Sequence, residues 1–86
     1  MNELNSIQIL AMNLKYYRHK FKMSQEKFAE KLGSTLSYIN QLENARRKPS
    51  LELIDNFARK LGVTSSKLLT YNAKHFIQKP RIDSKK

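Results

Sequence analysis

The sequence has no cysteine, and it has few of the residues on which other common sites are built. Without cysteine the chain forms neither a disulfide nor a thiolate metal site, which suits a reducing compartment. Two glycines are too few for a glycine-rich phosphate loop. The two histidines, His19 and His75, have no further ligand at metal-binding spacing. We therefore expect no metal, no cofactor, no small-molecule ligand and no enzymatic activity.

Long apolar runs are also absent, and this bears on where the protein acts. No stretch approaches the roughly 18 apolar residues that a membrane span needs. Polar side chains at Glu3, Asn5, Gln8 and Asn13 interrupt any apolar segment near the N-terminus, so no signal peptide is expected. The 86 residues are enough for one domain with one modest core. We expect a soluble, cytoplasmic protein.

Acidic residues are scarce relative to basic ones. Seven Asp and Glu face seventeen Lys and Arg, which gives a net charge of +10. The last sixteen residues hold five of the bases and one acid, so the rest of the chain carries about +6 of this charge. Such a field attracts polyanions, although a merely solvated basic surface is the simpler alternative.

Apolar residues recur at helical spacing in five segments, and a capping residue precedes each one. The expected caps are Asn5 or Ser6, then Ser24, Thr35, Ser50 and Thr64. This pattern predicts an all-α domain over residues 7–70. We expect a flexible N-terminus over residues 1–6 and a basic C-terminal tail over residues 71–86.

The segment from residue 25 to residue 44 is the most informative part of the chain. Its four key positions are Ala29, Gly33, Ile39 and Leu42, with offsets of four, six and three. Two short helices that cross steeply need a small residue, a left-handed turn residue and two core residues in this order. The exposed side of the second helix then carries Leu36, Ser37, Asn40, Gln41 and Asn44. Short polar side chains on a firmly held helix suit the readout of base edges.

From about residue 14 to residue 69, the chain resembles the Xre/Cro-type helix-turn-helix family, which includes the lambdoid phage repressors. The resemblance rests on MSQEKFAEKLGSTLSYINQLENARRKPSLELIDNFARKLGVTSSKLL. It implies a five-helix, lambda-repressor-like domain with the helix-turn-helix at helices two and three. It also implies binding of operator DNA in the major groove, usually as a dimer, to control transcription.

The resemblance implies roles for individual residues. Gln25 matches a glutamine that holds a phosphate at the start of helix two, and Asn44 matches an asparagine that contacts the backbone. Tyr38 either reaches a phosphate or covers the flank of the domain. The positions expected at the base edges are Leu36, Ser37, Asn40 and Gln41. Thr35, the cap before them, is also counted among the expected DNA-binding residues. The loop of Arg46, Arg47 and Lys48 follows the helix and either contacts phosphates or is simply solvated.

Two charged features can each be interpreted in two ways. Arg18 and Glu43 match an ion pair that some phage repressors bury between helices one and three, and an ordinary surface pair is the alternative. Glu26 and Glu30 match an acidic patch that some of these repressors present to RNA polymerase. Acidic residues are common on exposed helices, however, and solvation is the favoured interpretation there.

Dimerisation and the exact regulatory role are the most open points. A dimer surface is predicted at Leu68, Leu69, Tyr71, Phe76 and Ile77, unless Phe76 and Ile77 fold back over the core of the monomer. We expect a sequence-specific regulator, a repressor more than an activator, that binds a palindromic operator as a homodimer. A restriction–modification controller and an antitoxin use the same fold. An interaction module for acidic partners or membranes and a non-specific nucleoid coater are less favoured interpretations of the same basic chain.

Overall fold

The computed structural model describes residues 4–76, and every regular element among them is a helix. The helices are α1 (Ser6–Lys20), α2 (Gln25–Leu32), α3 (Leu36–Glu43), α4 (Leu51–Leu61), α5 (Ser65–Leu69) and α6 (Ala73–Phe76). The first five confirm the predicted all-α fold with a helix-turn-helix at α2 and α3. Within the described range, no helix has the length and apolar character that crossing a membrane requires.

Side-chain caps determine where the first five helices begin. In each case the cap oxygen accepts a hydrogen bond of 2.9 to 3.1 Å from the backbone N–H three residues later. Asn5, not Ser6, caps α1, and Gln8 returns a bond to the Asn5 amide, which completes a capping box. A cap of this kind contributes about 1 kcal/mol. The caps are Asn5, Ser24, Thr35, Ser50 and Thr64.

Glycine ends the second helix, where the chain turns toward α3. Gly33 has a φ of +69°, in the left-handed region, and its amide donates to the carbonyl of Glu30. A Cβ at this position would lie 2.8 Å from the Nζ of Lys60, which itself donates to the Leu32 carbonyl at 3.2 Å. The backbone conformation therefore favours glycine, as the sequence pattern predicts, whereas the flexible Lys60 side chain could move aside.

Residues from each of the helices α1 to α5 form one apolar core. The small residue Ala29 is 3% exposed, and the two core residues of α3, Ile39 and Leu42, are 0% and 2% exposed. Leu68 is also 0% exposed, so its assignment to a dimer surface is wrong: α5 uses it to close the core of the monomer. The core consists of Leu10, Leu14, Tyr17, Phe28, Ala29, Leu32, Ile39, Leu42, Ile54, Phe57, Ala58, Leu61 and Leu68.

A buried polar group, Asn13, fastens α1 to the end of the domain. Its Nδ2 donates to the carbonyls of Lys67 (3.1 Å), Leu68 (2.8 Å) and Thr70 (3.1 Å). Its Oδ1 lies 2.7 Å from Nδ1 of His75. Because the amide nitrogen faces three acceptors, the oxygen accepts from His75, and Nδ1 of His75 carries the proton. Asn13 is completely buried, and these partners satisfy its polar atoms.

Residues 73–76 form a helix that the sequence pattern did not indicate. A tail is predicted from residue 71, but the His75 ring is buried and stacks on Tyr16 with 3.6 Å between ring centroids. Four residues give too little periodicity to identify a helix, and a lone histidine gives no sign of its partner. Ile77 and the rest of the predicted tail lie outside the described residues.

The Asn13 network leads to a prediction about stability. Asn13→Ala removes the amide and leaves buried carbonyls of α5 without a donor, so we expect the free energy of unfolding to fall by about 1–3 kcal/mol. Urea denaturation of the full chain measures this change. Asn56→Ala is the control, since this partly exposed asparagine of α4 has a contact of only 3.5 Å, to Arg59. An equal loss in both variants would contradict the assignment.

His75 leads to a prediction about pH. Burial lowers the pKa of its imidazole below the ordinary value of 6.5, and the ammonium of Lys20 lowers it further. The unfolded state therefore takes up the proton more readily than the folded state. The contribution of neutral His75 is complete above about pH 6.5 and is lost as the pH falls through the lower folded pKa.

We expect the free energy of unfolding to decrease as the pH falls from about 6.5 through the folded pKa of His75. In His75→Gln the free energy of unfolding should depend less steeply on pH over the same range. Urea denaturation at a series of pH values measures it, with His19→Gln, at an exposed histidine, as the control. An unchanged slope in His75→Gln would exclude this role.

Candidate nucleic-acid interface

The second helix of the helix-turn-helix, α3, divides cleanly into a buried side and an exposed side. Ile39 and Leu42 enter the core, and the opposite side faces solvent. Leu36 is 49% exposed, and Gln41 is partly exposed. The structure thus brings the predicted base-facing residues to one surface. The members that are exposed, rather than partly exposed, are Leu36, Ser37, Asn40 and Asn44.

A buried carboxylate holds this helix in place. Glu43, at the end of α3, is 2% exposed through its side chain and forms a bidentate pair with Arg18 of α1. The Arg18 Nε lies 2.7 Å from one carboxylate oxygen, and Nη2 lies 3.0 Å from the other. The guanidinium also donates to the Met23 carbonyl at 3.1 Å. The structure therefore shows a buried ion pair, not an ordinary surface pair.

Gln25 extends the same network to the exposed side. Its Nε2 donates to Glu43 at 3.0 Å, and its Oε1 accepts from Nδ2 of Asn40 at 3.2 Å. Arg18, Glu43, Gln25 and Asn40 therefore form one chain of hydrogen bonds across α1, α3 and α2. The family resemblance assigned Gln25 to a phosphate. The links from Gln25 to Glu43 and Asn40 were not expected from the sequence, because no spacing rule connects residues on two crossing helices.

The loop after α3 contributes a second set of contacts. Nε of Arg47 donates to Oε1 of Gln41, and the Arg47 guanidinium lies 5.5 Å from the ring centroid of Tyr38. Nε2 of Gln41 is also 3.5 Å from the Ser37 hydroxyl. Tyr38 is partly buried and packs against the core, which favours its covering of the flank. The side-chain amide of Gln41 therefore has hydrogen-bond partners at both its oxygen and its nitrogen.

The charges near this surface are mostly positive. Arg46, Arg47 and Lys48 are all exposed in the loop that follows α3. Ala45 turns the chain into this loop with a φ of +59°. The one acid of α3, Glu43, is already paired. Basic side chains therefore lie beside an exposed row of amide and hydroxyl groups, an arrangement that suits a phosphate backbone next to base edges.

Other predicted positions have different surroundings. Thr35 is exposed, with its hydroxyl used as the α3 cap. Of the remaining residues of the predicted dimer surface, Leu69 is partly exposed, Tyr71 is 37% exposed and Phe76 is 54% exposed. Glu30 is exposed and lies 3.9 Å from Lys27, as a solvated helix surface would have it. Over residues 4–76, no three His, Cys, Asp or Glu residues come together as a metal site would need.

Comparison with known proteins identifies this architecture. The helix-turn-helix family model matches residues 14–68. A solved structure of a hypothetical transcription factor from Neisseria superposes with a TM-score of 0.76 at 28% identity, over 88% of this chain and 87% of that one.

Two sequence relatives agree with this result. The control protein C.SmaI of Serratia marcescens is 36% identical over 73% of this chain and 75% of its own length. The propionyl-CoA carboxylase regulator of Cereibacter sphaeroides is 38% identical over 74% of this chain, which spans only 14% of that regulator. The chain belongs to the Xre/Cro-type helix-turn-helix family of DNA-binding transcription regulators.

Proposed function

We propose that this protein is a sequence-specific regulator, acting as a repressor, that inserts α3 into the major groove of operator DNA. The observation that carries the proposal is the exposed row of Ser37, Asn40 and Gln41 on a helix whose other side is fixed by Ile39 and Leu42. An α-helix fits the major groove, where each base pair presents a distinct set of donors and acceptors. We propose the cytoplasm as the place where it acts.

The exposed side chains of α3 suit two kinds of contact in the major groove, hydrogen bonds and apolar contacts. The amides of Asn40 and Gln41 can pair bidentately with adenine, each such contact contributing about 1–3 kcal/mol of discrimination. Leu36 can contact the methyl group of a thymine. The hydrogen bonds that already hold both amides restrict their rotamers, which reduces the entropy lost when they bind a base.

The flanking groups position the helix without reading sequence. The Arg46–Lys48 loop and the start of α2 at Gln25 approach the sugar–phosphate backbone on either side of the groove. Asn44, whose Nδ2 donates to the Asn40 carbonyl at 2.8 Å, would contact the same backbone at the end of α3. These contacts supply most of the non-specific affinity and make binding salt-dependent.

A homodimer on a palindromic operator completes the proposal. One α3 reads only a few base pairs, and two copies related by a dyad read two half-sites about one helical turn apart. Partly exposed apolar side chains at Leu69, Tyr71 and Phe76 supply a surface for this association. The rings of Tyr71 and Phe76 already lie together, with centroids 6.2 Å apart.

Control of a restriction–modification system is the second candidate. The control protein C.SmaI matches most of this chain and is itself matched over 75% of its length, so the similarity takes in most of both sequences. Selection of bound DNA from a random pool tests both candidates. The recovered consensus gives the half-site and its spacing, and a match upstream of a methyltransferase gene in the source genome favours the controller.

Two substitutions on the α3 surface should separate readout from positioning. Gln41→Ala removes a base-contacting amide, so we expect loss of discrimination at one base pair per half-site, worth about 1–3 kcal/mol. Arg46→Ala removes a phosphate contact from an exposed residue that does not hold Gln41, so we expect weaker binding to every sequence and a slope of log K against log salt that is about one unit shallower. Fluorescence anisotropy with the selected operator and single-base variants measures both effects.

Arg59→Ala is the matched control for charge, because it removes one cation from the exposed side of α4. It should leave affinity and salt slope close to those of the unchanged protein. A wild-type protein whose affinity is insensitive to salt, or equal for operator and random DNA, would contradict the proposal.

The buried ion pair predicts a joint effect on stability and binding. Glu43→Ala leaves Arg18 buried without its partner and frees Gln25, so we expect the free energy of unfolding to fall by about 3–5 kcal/mol. Operator affinity should fall with it even at a temperature where the variant is folded. Thermal melts and anisotropy measure the two quantities. Glu30→Ala, at an exposed acid, is the control, and unchanged melting of Glu43→Ala would refute this role.

A further inference from the structure

A polar cleft lies between α1, α5 and the chain that enters α6. It has a volume of about 410 Å³ and shares no residue with the α3 surface or the Arg46–Lys48 loop. Two lysines, three tyrosines and one histidine line it, together with one serine, one threonine and one asparagine. The lining residues are Tyr16, Tyr17, Lys20, Ser66, Lys67, Thr70, Tyr71, Asn72 and His75.

The cleft has positive charge and, among the residues that the structure describes, no negative charge. Lys20 and Lys67 both line it, and no Asp or Glu of that range does. The ion pairs found within residues 4–76 are Arg18–Glu43 and Lys27–Glu30, so neither lysine has a carboxylate partner there. The Lys20 ammonium lies 6.0 Å from the Tyr17 ring centroid and is close enough to His75 to lower the pKa of its imidazole. Two exposed lysines that line one cleft, with no acid of the described range beside them, favour an anion there.

Its walls also select for a particular kind of anion. Tyr16 stacks on His75 with an interplanar angle of 10°, and Tyr17 meets the same imidazole edge-on, so these three rings pack together in the wall of the cleft. Burial raises the pKa of the Tyr17 hydroxyl, which stays a neutral hydrogen-bond donor. The volume lies in the range of small-molecule sites, where apolar walls and a few convergent polar groups fix one ligand. A planar ring next to an anionic group matches these walls.

We propose that this cleft binds a small aromatic phosphate of mononucleotide size, with the phosphate between Lys20 and Lys67 and the ring against the tyrosines. The last ten residues of this chain are a poor occupant by comparison, because they hold Lys79, Arg81, Lys85 and Lys86 against a single Asp83. The cleft shares no residue with the α3 surface or the Arg46–Lys48 loop, so this inference does not rest on contact with DNA. It shares Tyr71 with the proposed dimer surface, so AMP binding is measured on the chain without DNA.

The test uses the full chain with three probes, which are AMP, adenosine and inorganic phosphate. Two-dimensional NMR locates each probe, and isothermal titration calorimetry measures its affinity. We expect AMP to shift the signals of Tyr16, Ser66 and His75, and to bind at least tenfold more tightly than either adenosine or phosphate. Shifts confined to α3 and the Arg46–Lys48 loop would overturn the proposal, as would equal affinity for AMP and phosphate.

Paired variants distinguish binding of AMP in this cleft from a general attraction of AMP to a basic protein. The double variant Lys20→Gln, Lys67→Gln should weaken AMP at least tenfold. The control is Lys27→Gln, Lys31→Gln, which removes the same charge from exposed positions of α2 and should leave AMP affinity unchanged. Equal weakening by both pairs would reject the site. Operator affinity, measured in parallel, tests the proposed function separately, because it can fail while AMP binding holds.

Discussion

The carboxylate of Glu43 is the interaction on which the arrangement of the helix-turn-helix depends. It lies at the end of α3, is almost completely buried, and accepts hydrogen bonds from Arg18 of α1 and Gln25 of α2. A buried charge is costly when unpaired, so the three helices have low energy only when these groups meet. Apolar packing at Ile39 and Leu42 attaches α3 to the core but fixes its rotation less strictly. The ion pair therefore specifies the orientation of α3 more than it adds net stability.

That orientation connects the interior with the exposed surface. Gln25 bonds to the buried carboxylate on one side and to Asn40 on the other, so a surface amide is held by the same network as the core. Arg47 restrains Gln41 from the neighbouring loop. In a domain of this size, which has room for one modest core, such bonds are a compact way to keep polar side chains in position.

A second buried polar group organises the opposite end of the molecule. Asn13 donates to carbonyls at and just after α5 and accepts from His75 of α6, so α1 is fastened to both of these helices by hydrogen bonds rather than by apolar contacts alone. All of these hydrogen bonds of Asn13 form together only when α5 and α6 pack against α1 in this one arrangement. The buried amide therefore favours that arrangement over others. The same packing shapes the cleft between Lys20 and Lys67.

Local signals were sufficient for much of this protein. The caps at Ser24, Thr35, Ser50 and Thr64 and the turn at Gly33 are short-range effects, so the sequence alone determined where the helices begin and where α2 ends. The helical period of apolar residues in α3 likewise determined which side of that helix is exposed, because three or four residues return to the same side.

Only the tertiary structure decided the contacts between residues that are far apart in the chain. The partners of Glu43 and of Asn13 lie 18 to 62 positions away, and no local rule links residues at such distances. Leu68 shows the same limit: its apolar side chain suited either a dimer surface or the core, and only the packing of α5 against α1 settled that it is core. Burial and pairing are properties of the assembled helices. The Arg18–Glu43 pair was expected only through the family resemblance, with a surface pair as the alternative, and the Asn13 network was not expected at all.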